Sequence, residues 1–278
     1  MSPDVKPLTP AIGAEIFGAD LAREDHFEAI HQAFVDHSVV AIRDLDLTPD
    51  DHLAFARRWG EINVNRFFQP LEGHPEIATV IKEPHETRAT GEEWHTDHSY
   101  DQVPAMGSLL YARETPQTGG DTAFASMHAA YMALSDGFRD MLDGLKAWHS
   151  SRHVFGVDSE RGRQQDGEEP GKYQNAGDAT QDALHSVVIT HPLSGRRGIY
   201  VNRTFTTHID GWTADESAPL LNQLYEHCAQ PEFTCRVRWT PGTLGIWDNR
   251  ATWHKAINDY PGERRVMHRV TIEGVPIA

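Results

Sequence analysis

Cysteine is scarce in this sequence, with Cys228 and Cys235 as its only two. Two thiols do not make a disulfide framework, so the fold must rest on its core, and a reducing cytoplasm is the expected compartment. Long apolar runs are missing too. No stretch reaches the roughly 18 apolar residues that a spanning helix needs, so no membrane partner is expected. The opening residues, MSPDVKPLTPAIGAEI, lack the basic segment and apolar core of a secretory signal. Positive charge is also short: 25 Lys and Arg face 41 Asp and Glu, a formal net charge of −16. Such a surface repels nucleic-acid phosphates and anionic lipid, which argues against nucleic acid as a partner. It does not argue against a small organic anion, because a buried pocket can be locally basic.

What is present is the balance of a globular chain, 39% hydrophobic and 24% charged. Its 278 residues are read as one domain, 1–278, since large all-β sandwiches reach this size. Apolar residues at Phe27, Ile30, Ala33 and Phe34 have helical spacing over 24–37, and 38–42 reads as a short buried strand. Thr48-Pro49-Asp50-Asp51 is a helix start, with a Thr cap, Pro in the first turn and acids at the positive dipole end. That helix should run to about Trp59. From Glu76 the texture becomes short strands, near 77–81, 108–112, 122–125, 187–190, 199–201, 233–239, 244–247 and 266–272. Helices interrupt at about 127–134, 137–145 and 215–228. Many short strands between Gly and Pro turns predict a mainly β fold with flanking helices, a sandwich or jelly roll. Residues 156–182 are polar and too long for an ordinary connection, so they are read as a lid insertion, with a disordered surface insertion as the alternative.

The raised count of 17 histidines makes histidine metal sites worth testing. In Trp94-His95-Thr96-Asp97, residues i and i+2 of an extended segment point the same way, so His95 and Asp97 can approach one ion together. A second histidine would complete two nitrogens and a carboxylate on one face, leaving positions open for oxygen chemistry at Fe(II). A lone His-x-Asp is more often a polar turn. Here, however, Trp247-Asp248-Asn249-Arg250-Ala251-Thr252-Trp253 leads to His254 just past a short apolar strand, and Arg264-Arg265 follows 265 − 254 = 11 residues later. An arginine one strand further on can reach the same cavity, and its fork of donors suits a carboxylate. In Thr118-Gly119-Gly120-Asp121-Thr122, two glycines permit a tight turn that delivers a hydroxyl at the start of a strand.

Together WHTDHSY, TGGDT and WDNRATWHKAINDYPGERRVMHR closely resemble the taurine dioxygenase family, which includes the 2,4-dichlorophenoxyacetate dioxygenases, over about 12–274. The resemblance implies a distorted double-stranded β-helix and an enzyme that uses Fe(II), with 2-oxoglutarate and O2 as co-substrates. It implies His95, Asp97 and His254 as iron ligands, and Thr122 and Arg265 as the binders of the distal 2-oxoglutarate carboxylate. Arg269 corresponds to the arginine that holds the anionic group in taurine oxidation, and Phe155 and Phe205 match aromatic positions of the substrate cleft.

The substrate end departs from the taurine pattern. Asn65 and Phe68 stand where a histidine and a tyrosine help hold the sulfonate, and Thr90-Gly91 stands where an Asp-Asn pair meets the amine. A small organic anion with a less polar body than taurine is therefore expected. Arg152 and Arg203 are further cations whose side chains the sequence does not place. The same centre could serve hydroxylation, desaturation or cyclisation. Two readings of other classes are a zinc hydrolase and a non-catalytic jelly-roll binding protein. The zinc reading gives Thr122 and Arg265 no reason to stand where they do, and the complete triad speaks against the binding protein. The oligomeric state, a homo-oligomer included, is open at this level.

Overall fold

The computed structural model describes residues 2–165 and 173–277. Among these, nine strands form one large sheet. Its path runs Asp4–Pro7, Ala14–Phe17, Val39–Ile42, Leu244–Asp248, Gly107–Glu114, Arg265–Ile272, His74–Lys82, Pro70–Leu71, with Ile62–Asn63 also pairing with Arg265–Ile272. A three-stranded sheet faces it, in the order Thr234–Val237, Thr122–Ser126, Thr252–Ala256. The sheets are antiparallel except where Ala14–Phe17 runs parallel to Val39–Ile42. A second three-stranded sheet, Asp182–Ser186, Lys146–Ser150, Thr206–Ile209, and the pair Val188–Thr190 and Arg197–Ile199 extend the minor side. This is the expected distorted double-stranded β-helix.

Strand periodicity explains why the large sheet reads as nearly unbroken apolar runs: both of its faces are buried. Val39, Ala41, Leu110, Ala112, Trp247 and Met267 point inward and meet Phe124, Cys235 and Val237 of the small sheet. Their neighbours Val40, Ile42, Leu109, Tyr111, Leu244, Ile246, Val270 and Ile272 point outward. There they are covered by Ile30 and Phe34 of the helix Glu24–His37 and by Leu53 and Phe55 of Pro49–Arg57. Each fully buried aliphatic or aromatic side chain contributes roughly 1.5–3 kcal/mol of transfer free energy, so two packed faces hold the sheet firmly. The second helix begins as its sequence requires. The Thr48 side chain accepts from the Asp51 amide, and Asp51 bonds back to Thr48, forming a capping box.

Several boundaries differ from the expectations. The helix expected over 137–145 is Asp136–Leu142, and the next residues form the strand Lys146–Ser150, whose partners lie far along the chain. The strand expected at 199–201 is Arg197–Ile199. The strand Thr252–Ala256, which carries His254, has too few residues to show a period. The polar segment 156–182 lies partly outside the described residues. Its described parts are ordered: the helix Glu160–Gln165, Tyr173 bridged to Phe68, the turn Ala176–Asp178, and Asp182 opening a strand. Two of its apolar residues, Tyr173 and Ala179, pack with Phe67, Phe68 and Phe155, which a composition average does not reveal.

Candidate metal centre and active site

His95 and His254 are held together by backbone. The His95 amide donates to the His254 carbonyl at 3.1 Å, and the His254 amide returns a bond to the His95 carbonyl at 2.8 Å. Directly opposed residues of an antiparallel pair present their side chains on one face, and here the two rings lie 4.1 Å apart. Asp97, two residues past His95, comes to the same side. Its carboxylate oxygens lie 3.6 Å from His95 Nε2 and 3.8 Å from His254 Nε2. One ligand atom from each residue falls within 4.8 Å of the others.

The donor chemistry fits a divalent metal of the iron type. His95 Nδ1 donates to the Glu93 carbonyl at 2.7 Å, which leaves Nε2 with its lone pair toward the shared space. Burial lowers the proton affinity of His95, and the charges of Arg161 and Arg269 lower it further. Burial likewise holds His254 neutral, with His95 adding to the effect. For Asp97, burial raises the pKa, but the positive charge around it, that of Arg269 above all, outweighs this, so the carboxyl stays well below its ordinary range. Two neutral imidazoles and one carboxylate on one face are the ligand set for Fe(II) with open positions. The His254 ring is wedged against Trp247 and Phe124, with centroids 4.8 and 6.0 Å away.

Sequence detail behind the triad fixes its geometry. Gly91 has φ +81°, which favours glycine, and a Cβ there would press on His95 Cε1 at 3.0 Å. Asp248 and Arg250 form a buried bidentate pair at 2.9 and 2.7 Å, with His191 at 2.9 Å from the same carboxylate. This pair locks the turn that delivers Thr252–Ala256. Thr96 hydrogen-bonds the Asn249 carbonyl, tying the two ligand-bearing segments together.

The triad opens into a cavity of about 550 Å³. Thr122, Arg265, Arg269, Phe68, Phe155 and Phe205 all line it. Arg265 and Arg269 share a face of the strand Arg265–Ile272 by the period of two, and both are buried with an unpartnered Nε. A buried guanidinium with free donors calls for an acceptor, and carboxylates are the groups that suit it. The Trp239 indole donates to Thr122 Oγ1 at 2.9 Å, which frees the threonine's own proton for a ligand. The Arg265 guanidinium lies 5.8 Å from the ring of the same Trp239. The turn before Thr122 is set by Gly119 and Gly120, both at positive φ, with the Gly120 amide donating to Asp259.

Not every expected residue reaches the cavity. Asn65 does not line it: its Oδ1 accepts from the amides of Phe67 and Phe68, both at 3.0 Å, so the side chain folds onto its own loop and positions Phe68. Arg152 pairs with Asp182 at 2.9 Å, and Arg203 rests over Tyr225. Conversely, Arg161 and Tyr173 line the cavity without having carried any motif. Trp239 also escaped the sequence reading, since a tryptophan closing a strand reads as core.

Residues 4–271 match the taurine catabolism dioxygenase TauD, TfdA family. The chain is 32% identical to an alpha-ketoglutarate-dependent sulfate ester dioxygenase of Pseudomonas putida, covering 99% of this chain and 91% of that protein. It is 29% identical to the alpha-ketoglutarate-dependent 2,4-dichlorophenoxyacetate dioxygenase of Cupriavidus pinatubonensis, covering 98% of each. A crystal structure of a taurine dioxygenase from Burkholderia xenovorans superposes with a TM-score of 0.80 at 34% identity, over 99% of this chain and 92% of that one. No described helix is long and apolar enough to cross a membrane. This chain is therefore a member of the TauD, TfdA family, a dioxygenase that works with Fe(II), 2-oxoglutarate and O2.

Proposed function

We propose that the enzyme hydroxylates an unactivated C–H bond of a small organic anion, coupled to conversion of 2-oxoglutarate and O2 into succinate and CO2. His95, Asp97 and His254 hold the iron, which supplies the oxidising chemistry when bound. Thr122 and Arg265 take the distal carboxylate of 2-oxoglutarate, the hydroxyl and the guanidinium acting together on one group. Arg269 takes the anionic end of the substrate, whose body lies along Phe68, Phe155 and Phe205. Hydroxylation on a carbon that bears an oxygen or sulfur substituent would give a product that collapses with loss of that substituent.

The observation that carries this reading is Arg269. It is buried, its Nε has no partner, and one Nη lies 3.2 Å from Asp97. A single shared carboxylate leaves most of its donors free in a cavity walled by phenylalanines. A second anion there relieves an otherwise costly burial. The sulfate ester and phenoxyacetate activities named for the relatives are anion chemistry of this kind. The chain acts as a single domain with 156–182 as its lid insertion, of which the described residues Glu160, Arg161 and Tyr173 line the cavity over the bound substrate.

The test is substrate-dependent succinate release at fixed 2-oxoglutarate, with taurine, a longer alkylsulfonate, an alkyl sulfate, an aryloxyacetate and a neutral analogue of the best of them. An anion of apolar body should lead the series, and Arg269→Ala should cut its kcat/KM sharply. Equal turnover of the neutral analogue overturns the reading.

A further inference from the structure

Arg161 stands on the helix Glu160–Gln165 and lines the same cavity as the triad. Its guanidinium lies 5.1 Å from the Phe155 ring centroid and 5.3 Å from that of Tyr173. Among the described residues it forms no ion pair. The carboxylate beside it in sequence, Glu160, is already taken by Arg88, whose Nη1 contacts both of its oxygens at 3.0 Å. The ring beneath it is fixed as well. The Tyr173 hydroxyl is hydrogen-bonded to Thr90 at 3.1 Å, and Tyr173 packs edge-on against Phe68 at 5.2 Å.

Phe68 is also the ring on which Arg269 rests, at 4.6 Å. Two cations therefore lean on one aromatic cluster from two sides, Arg269 from the large sheet and Arg161 from the roof. Arg269 already gives one Nη to Asp97. What it has left suits a two-oxygen carboxylate, but a sulfate or sulfonate head presents three oxygens and more acceptor sites than one such arginine edge serves.

We propose that Arg161 is a second substrate-binding residue, which closes on the anionic group opposite Arg269 and favours three-oxygen head groups, sulfate esters and sulfonates, over carboxylates. This rests on the reading that the substrate is an anion held at Arg269. Stacking on Phe155 and Tyr173 holds the guanidinium over the cavity before the substrate arrives, which lowers the entropy cost of the contact.

The experiment is anaerobic calorimetry on enzyme loaded with Fe(II) and 2-oxoglutarate, using octyl sulfate, decanoate and methyl octyl ether as probes. Wild type, Arg161→Met and Arg161→Lys are compared, and the visible band of the iron–2-oxoglutarate chelate serves as the folding and loading control. Arg161→Met should weaken octyl sulfate by about tenfold or more, weaken decanoate less, leave the ether unchanged and leave the band intact. Arg161→Lys should recover part of the sulfate affinity. If wild type prefers the sulfate and Arg161→Met keeps that preference in full, the assignment of Arg161 falls while the anionic substrate stands. An equal loss for sulfate and ether reduces Arg161 to roof packing and overturns the proposal. If wild type binds the ether as tightly as the sulfate, the anionic-substrate reading itself is overturned, and Arg161 with it.

Discussion

Arg269 Nη1 lies 3.2 Å from Asp97 Oδ2, so the arginine proposed to hold the substrate also touches the carboxylate of the candidate metal triad. On the proposed roles, the contact would tie substrate binding to the iron site through one side chain. Asp97 is the only anionic member of the triad. Asp97→Ala should abolish Fe(II)-dependent succinate formation and Fe(II) binding together, because two neutral imidazoles remain. Wild-type succinate production by this variant would remove the triad assignment. Arg269→Ala should instead retain iron binding and lose substrate affinity, which separates the two roles.

The co-substrate end gives a graded pair. Arg265→Ala should raise the KM for 2-oxoglutarate by an amount on the order of 2–5 kcal/mol, the cost of stranding a buried carboxylate. Trp239→Phe keeps the ring but removes the donor to Thr122 Oγ1. Its effect on the same KM should be about 0.5–1.5 kcal/mol, the worth of one neutral hydrogen bond. Steady-state kinetics at saturating substrate measures both. An unchanged KM in Arg265→Ala would place the carboxylate elsewhere.

Gly91→Ala should weaken Fe(II) binding beyond the stability it costs, which is about 1–2 kcal/mol. The added methyl would meet His95 Cε1 at 3.0 Å, and the backbone at φ +81° disfavours any side chain by about 1–2 kcal/mol. His95 is the group able to give way, so the readout is the Fe(II) dissociation constant. An unaltered constant beside a lowered melting temperature would show that strain, not ligand placement, dominates.

Asp248→Ala should destabilise the fold by about 3–5 kcal/mol, since it leaves Arg250 buried and unpaired. Asp248 also predicts a pH dependence. Burial raises its pKa, but Arg250 and His191 overcome this and depress it. A carboxyl whose folded pKa lies below its unfolded value contributes stability that is fully present above about pH 4 and is lost as the pH falls further. Urea unfolding from pH 7 down to pH 3 should therefore show a falling midpoint, with a shallower acid limb in the variant. An acid limb as steep in Asp248→Ala as in wild type would assign the loss to other carboxylates.

Two kinds of information separate cleanly in this protein. The sequence alone determined whatever is local or strictly periodic. The spacing of two already points His95 and Asp97 to one side, although Asp97 opens a turn, and Arg265 and Arg269 share a face by the period of a strand. The Thr48 cap, the Gly119-Gly120 turn and the doubly buried runs VVAI and LGIW are likewise readable, since each is set by backbone geometry over a few residues. Only the tertiary structure decided what depends on distant segments meeting. His254 reaches His95 through a two-bond bridge across 254 − 95 = 159 residues. Asn65 could not be excluded from the cavity by pattern, because whether a side chain points inward or bonds its own loop depends on how that loop is anchored. Arg161 and Tyr173 sit in a stretch whose average polarity hides them, and the place of Tyr173 over Phe68 follows from packing across 173 − 68 = 105 residues, which also supplies one of the two rings under Arg161. The chemistry of the centre is carried by short-range spacing, whereas the shape that selects its substrate is carried by long-range contact, and only the first leaves a regular trace in the order of residues.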